Sequence, residues 1–139
     1  MESMKLDNFR LLINDFPASF HFWHDIIGLK LIYKDDTGTY AYFEAGSARI
    51  ELLKADYFAA SIDPANPAPI QSGYHGVIVF RVDDVDAAYA DLVKRGAPPL
   101  APPRNHPAGF ARTALLAAPD GYVLEVFKTL TSLPGKSSD

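Results

Sequence analysis

The 139-residue chain has no cysteine. Disulfides, thiolate metal sites and cysteine nucleophiles are thereby excluded together, and a cytoplasmic setting is the expectation. No apolar run approaches the ~20 residues that a bilayer-spanning helix needs, so no membrane partner is expected. Basic residues are in deficit: 13 Lys and Arg against 17 Asp and Glu give a net charge of -4, with no basic patch. That balance argues against nucleic acid as a partner. Phosphate-cradling glycine loops and the Gly-x-Ser-x-Gly elbow are also absent. The opening "MESMKLDNF" lacks the charged-then-apolar order of a signal peptide.

What the chain does have is a pattern that runs twice. "NFRLLI" (8–13) reads as a strand, and "NDFPASFHFWHDIIG" (14–28) as a helix with its punctuation. Asn14 or Asp15 caps it, Pro17 suits its first turn and Gly28 ends it. Phe16, Phe20, Trp23, Ile26 and Ile27 recur at helical spacing and predict one apolar face. Three strand-like runs follow, "LKLIYK", "TYAYFEAG" and "ARIELLK", separated by the turn signals "DDTG" and "GS". Residues 55–74, rich in proline, read as a connecting segment ordered at its aromatic start.

The order then restarts. "HGVIVFRV" is a strand, and "DDVDAAYADLVKRG" is a capped helix with Val85, Ala88, Tyr89 and Leu92 inward. "FARTALLAA", the turn "PDG" and "YVLEVFK" complete the unit. Asp15 and Asp84 stand at equivalent helix starts 69 residues apart, and Glu51 and Glu125 in equivalent last strands 74 apart. The five extra residues fit in "APPLAPPRNHPAGF" (97–110), read as a proline-rich loop that the first half lacks. An internal repeat of this length outweighs any single motif. The fold class expected is α+β: one domain of two tandem βαβββ modules, about 6–54 and 75–128, whose sheets pair around a shared cleft. A linker spans about 55–74, and a short flexible tail follows the second module.

"LINDFPASFHFWHDIIGLKL", "VFRVDDVDAAYADLVKRGA" and "APDGYVLEVF" together resemble the vicinal oxygen chelate superfamily: glyoxalase I, extradiol dioxygenases, and fosfomycin- and bleomycin-resistance proteins. The likeness covers about Leu6 to Lys128. In its metal-using members, four ligands come from the first and last strand of each half, and the first-strand ligand precedes the helix-opening Asp by seven residues. Carried over, that set falls on Asn8, Glu51, Val77 and Glu125. Both carboxylates are kept, and both nitrogen ligands are missing. Valine coordinates nothing, and an Asn amide oxygen suits only hard cations. His75, two residues before Val77 on the same strand face, is the one substitute ligand within reach, by way of a bulge at Gly76.

The acids therefore have several readings: members of charge-assisted pairs, metal ligands, general bases, or solvated surface groups. On alternating strand faces Arg10 accompanies Asn8, Arg49 accompanies Glu51, and Arg81 accompanies Val77. The resemblance implies a cleft that brings Arg10, Arg49 and Arg81 near the carboxylates, lined by Asn8, Arg10, Glu51, Val77, Arg81 and Glu125. His106 and Phe110, with Arg104, are the residues a covering loop would bring to a ligand. Phe9, Tyr40, Tyr42, Phe43, Tyr57, Phe58, Phe80, Phe110 and Phe127 are the aromatic candidates for a pocket wall, most of them expected in the core; Tyr40 and Tyr42 point to the opposite face from Phe43. His21 and His24, one turn apart among aromatics, read as exposed imidazoles on a packed helix.

The resulting expectation is a binder of a small organic molecule, working without cofactor or metal, as in bleomycin-resistance proteins. The alternative is a lyase or isomerase acting on a carbonyl compound, with Glu51 or Glu125 as base and a divalent cation held by Glu51, Glu125, Asn8 and His75. The resemblance also implies a homodimer.

Overall fold

The computed structural model describes residues 4, 6–69 and 73–130. The tail expected after the second module lies, from residue 131 on, outside the described residues. The chain divides into two compact units, Met1–Ser72 and Gly73–Asp139.

In the first unit, strand β1 (Asn8–Ile13) is followed by helix α1 (Phe16–Phe20) and a π-helical turn (His21–Ile26). Strands β2 (Lys30–Lys34), β3 (Tyr40–Glu44) and β4 (Arg49–Lys54) follow, then helix α2 (Ala55–Ile62). The strands form one sheet in the order β1-β4-β3-β2. β1 runs parallel to β4, while β2–β3 and β3–β4 are antiparallel.

Local chemistry explains the entry to the helix. The Asp15 carboxylate accepts a hydrogen bond from the Ala18 backbone N–H at 3.0 Å, and Pro17 needs no N–H partner in the first turn. The helix then widens: the Ile27 N–H reaches back five residues to the Phe22 carbonyl, and Gly28 ends it with φ of +83°. The apolar face is thereby redrawn. Phe16, Trp23 and Ile26 are buried as their spacing predicts, but Ser19 and Phe22 join them while Phe20 and Ile27 are only half-buried. The added residue in the turn rotates Phe22 inward, where its ring meets Trp23 edge-on at 5.0 Å. This helix covers the sheet face formed by Leu11, Ile13, Ala41, Phe43, Ile50 and Leu52, all buried.

The second unit repeats the order with β5 (Gly76–Arg81), helix α3 (Val85–Lys94), β6 (Pro99–Asn105), β7 (Ala111–Ala117) and β8 (Tyr122–Thr129). Its sheet order is β5-β8-β7-β6, with β5 parallel to β8. Asp84 caps α3 through the Ala87 N–H at 3.0 Å. Val85 packs with Ala114 and Val126, and Val82, Tyr89 and Leu92 close round them. Arg112 in β7 grips Asp86 in the first turn of α3 with two hydrogen bonds of 2.7 Å, so the sheet and helix are also joined by charge.

One expectation is corrected. The proline-rich 97–110 segment is no loop, because residues 99–105 form β6, the strand that makes the second half match the first. Its prolines are tolerated because β6 is an edge strand, where a missing N–H breaks no inner ladder. The register slips between Pro99 and Ala101 and again between Ala101 and Arg104. The connecting segment is ordered at its aromatic start, as expected, where its first eight residues form α2. Among the described residues no helix is long and apolar enough to cross a membrane.

The turn before β8 yields a test. Gly121 has φ of +80°, and a Cβ there would collide with the Gly73 carbonyl oxygen and lie 3.0 Å from His75 Nδ1. Gly121→Ala is expected to lower stability by at least about 1–2 kcal/mol, the cost of the left-handed backbone alone, measured by urea unfolding. A neutral substitution would show that the turn is not held as described.

Candidate functional site

The sheet face turned away from α1 carries the polar residues of the first unit. β1 contributes Asn8, Arg10 and Leu12, and β4 contributes Arg49, Glu51 and Leu53. In the β1–β4 ladder Arg10 pairs with Glu51, and in the β3–β4 ladder Tyr42 pairs with Glu51 and Tyr40 with Leu53. Glu51 is only 6% exposed, and the described residues include no other buried charged side chain. Burial on that scale demands a partner. Arg10 supplies it, with Nε donating to Glu51 Oε1 at 2.6 Å, and the Tyr40 hydroxyl donates to the same carboxylate.

These contacts tune the site. Burial, followed by the bond to Glu51 and its charge, pushes the Tyr40 hydroxyl from an ordinary 10.0 up to about 12. Arg10 is raised by its hydrogen bond to Glu51, against the opposing effect of burial. Its side chain is nonetheless 46% exposed, and among the described residues only Nε of its guanidinium is engaged. Nη1 and Nη2 therefore present open donors.

Arg10 lines a cavity of about 410 Å³ together with Asp35, Thr37, Thr39, Tyr40, Leu53 and Tyr57. Tyr57 comes from α2 and the threonines from the β2–β3 turn. Asp35 organises that turn: its carboxylate accepts from the Thr37 hydroxyl at 2.9 Å and the Thr39 N–H at 3.1 Å. Slight burial works to raise the Asp35 carboxyl, but hydrogen bonds from Thr39, Thr37, Tyr40 and Gly38 outweigh it and hold the group below its ordinary range. Beside the cavity Tyr33, Tyr40 and Tyr42 meet one another at ring distances of 5.9–6.3 Å, and Arg49 lies 5.7 Å over the Tyr42 ring.

The other residues singled out from the sequence lie as follows. Asn8, half-buried, donates from Nδ2 to Asp7 at 2.7 Å. Glu125 is half-buried in β8 between Val79 of β5 and Leu115 of β7. Arg81 is exposed and stands opposite Phe127, and Val77 is 53% exposed. His75 precedes β5 and donates from Nδ1 to the Asp120 carbonyl at 2.6 Å; Gly76 pairs regularly with Tyr122, without a bulge. His106 and Phe110 stack at 4.2 Å in the short β6–β7 connection, where His106 also accepts from the Ala108 N–H. His21 and His24 both place Nδ1 on Asp25, at 2.8 and 2.7 Å, and these bonds, His21 first, hold that carboxyl low. Arg10, Glu51 and Tyr40 are thus brought together, whereas Asp35, Thr37 and Thr39 enter the site from a segment whose sequence signals only a turn.

Two βαβββ units in tandem, each a mixed four-stranded sheet with a capped helix on one face, define a class of small α+β repeat protein. The chain belongs to the Glyoxalase/Bleomycin resistance protein/Dioxygenase superfamily, whose family model matches residues 5–126. It is 33% identical over 130 residues to the uncharacterized protein YraH of Bacillus subtilis (strain 168), covering 91% of this chain and all of that one. A glyoxalase/bleomycin resistance protein/dioxygenase from Nocardioides superposes with a TM-score of 0.80 at 23% identity, covering 99% of this chain and 91% of that one. A lactoylglutathione lyase from Agrobacterium tumefaciens superposes with a TM-score of 0.69 at 20% identity, covering 91% and 94%. At these identities the two structures bear on fold alone.

The divalent metal of the superfamily's metal-using members does not fit this donor set. Val77 has no lone pair to give. Asn8 is engaged with its neighbour, and Glu51 already holds a guanidinium where a second cation would have to bind. Among the described residues no three His, Asp or Glu side chains gather as a metal cluster.

Two measurements follow. Arg10→Ala should lower stability by about 1–3 kcal/mol, because it strands a buried carboxylate, while Arg10→Met with Glu51→Leu should recover most of that loss. A double variant as unstable as the sum of its parts would deny the pairing. For Tyr40 the folded value lies above the unfolded one. Its contribution is therefore complete below pH 10 and is lost as pH rises toward 12. Tyrosinate absorbance should show a late-titrating ring that is absent in Tyr40→Phe.

Proposed function

We propose that this protein binds a small organic molecule in the first-unit cavity, without a metal, using Arg10 as its polar anchor. One observation carries the reading. A guanidinium fixed through Nε by a buried carboxylate, with neither Nη engaged among the described residues, lines a cavity of about 410 Å³. Fixing the side chain beforehand reduces the entropy lost when a ligand is bound, and the fork suits a carbonyl or carboxylate oxygen. The cavity volume falls within the range of about 300–1,000 Å³ usual for small-molecule sites.

The same contact weighs against a lyase or isomerase that uses Glu51 as base. That carboxylate anchors Arg10 and Tyr40, so an incoming substrate would have to displace both. A homodimer belongs to the same proposal: β5 lies at a sheet edge with Val77 and Val79 about half exposed, and light scattering on purified protein tests it.

A fragment library screened by thermal shift decides the binding reading. Compounds that stabilise the wild type should lose their effect in Arg10→Gln, and hits indifferent to that change would sink the anchor. Elemental analysis of protein purified without chelator should find no stoichiometric Ni, Zn, Fe or Mn; finding one would overturn the metal-free reading.

A further inference from the structure

The charges around the first-unit cavity are of both signs, and that restricts what can sit there. Arg10 offers open Nη donors on one side. Asp35 lines the same space with the opposite charge, its carboxylate held in place by hydrogen bonds from Thr39, Thr37, Tyr40 and Gly38. Glu51 lies beneath Arg10. One cation thus faces two carboxylates, and a simple anion drawn to Arg10 would also meet Asp35. A simple cation drawn to Asp35 would meet Arg10. A ligand bearing both signs satisfies both groups.

The remaining lining is aromatic. Tyr57, 62% exposed, stands on α2 at one wall, and Tyr40 continues into the cluster with Tyr33 and Tyr42. Ring faces attract both a flat ring and an ammonium group. Resting on the binding reading above, the geometry points to an aromatic zwitterion as the ligand class: an aryl ring, a carboxylate for Arg10 and an ammonium for Asp35, as in an aromatic α-amino acid. The low-titrating Asp35 carboxyl keeps its charge under ordinary conditions, which the ammonium contact requires.

Calorimetry with L-phenylalanine and three compounds that each lack one feature tests this. 3-Phenylpropanoate lacks the ammonium, phenethylamine the carboxylate and L-alanine the ring. Phenylalanine should bind most tightly, each deletion weakening binding by about tenfold or more. Asp35→Asn should abolish the preference for phenylalanine over 3-phenylpropanoate. Tyr57→Leu, at an exposed position that the fold does not need, should weaken phenylalanine and leave alanine unchanged. If 3-phenylpropanoate binds as well as phenylalanine, or if Asp35→Asn keeps the preference, the zwitterion is wrong. The binding reading still stands in that case provided that Arg10→Gln abolishes the binding. No heat from phenylalanine at millimolar concentration also overturns the ligand class, and the fragment screen judges the binding reading separately.

Discussion

A carboxylate placed in the middle of an apolar strand must be answered, and the first unit is arranged around the answer. Glu51 sits on β4, a central strand flanked by β1 and β3. β1 brings Arg10 alongside it in parallel register, and β3 brings Tyr40 within reach of the same oxygens. The desolvation cost of burying the acid is offset only if both neighbours stay in place. Strand register is thus coupled to the chemistry of the site. A one-residue slip of β1 would put Arg10 on the helix side and Leu11 or Phe9 against the acid.

The same pairing bears on the metal that the superfamily resemblance implies. A guanidinium already occupies one oxygen of Glu51, and the first strand of the second unit offers valine where a nitrogen ligand stands in metal sites. Fold membership therefore specifies the scaffold, and individual side chains specify the chemistry.

Much of this was legible in the sequence, for identifiable reasons. Alternation located β1 and β4 and put Arg10 with Asn8 and Glu51 with Arg49, while the family resemblance brought the two strands to one cleft. The two Asp caps located the helices, and the spacing of equivalent acids revealed the repeat. Three features were hidden. Pro99, Pro102 and Pro103 disguised β6 as a loop, because local propensity carries no sign of an edge position. The π-helical turn was invisible, since the apolar spacing of 16–27 also satisfies an ordinary α-helix. Asp35, Thr37 and Thr39 looked like any turn. Their place beside Arg10 depends on the β2–β3 connection folding back over the sheet, which is a tertiary event.

The prolines of β6 also govern how this protein can meet its own kind. A bare sheet edge is a template on which another chain can lay a strand. Along β6 three of seven positions have no N–H to offer, and two register slips bend what is left. In the first unit the corresponding edge, β2, begins and ends with exposed lysines. Charge repels a second copy at one margin and missing donors refuse it at the other. Strand-by-strand growth is thereby hindered along β2 and β6, by means that leave the interior of each sheet untouched, while β1 and β5 form the other edge of each sheet.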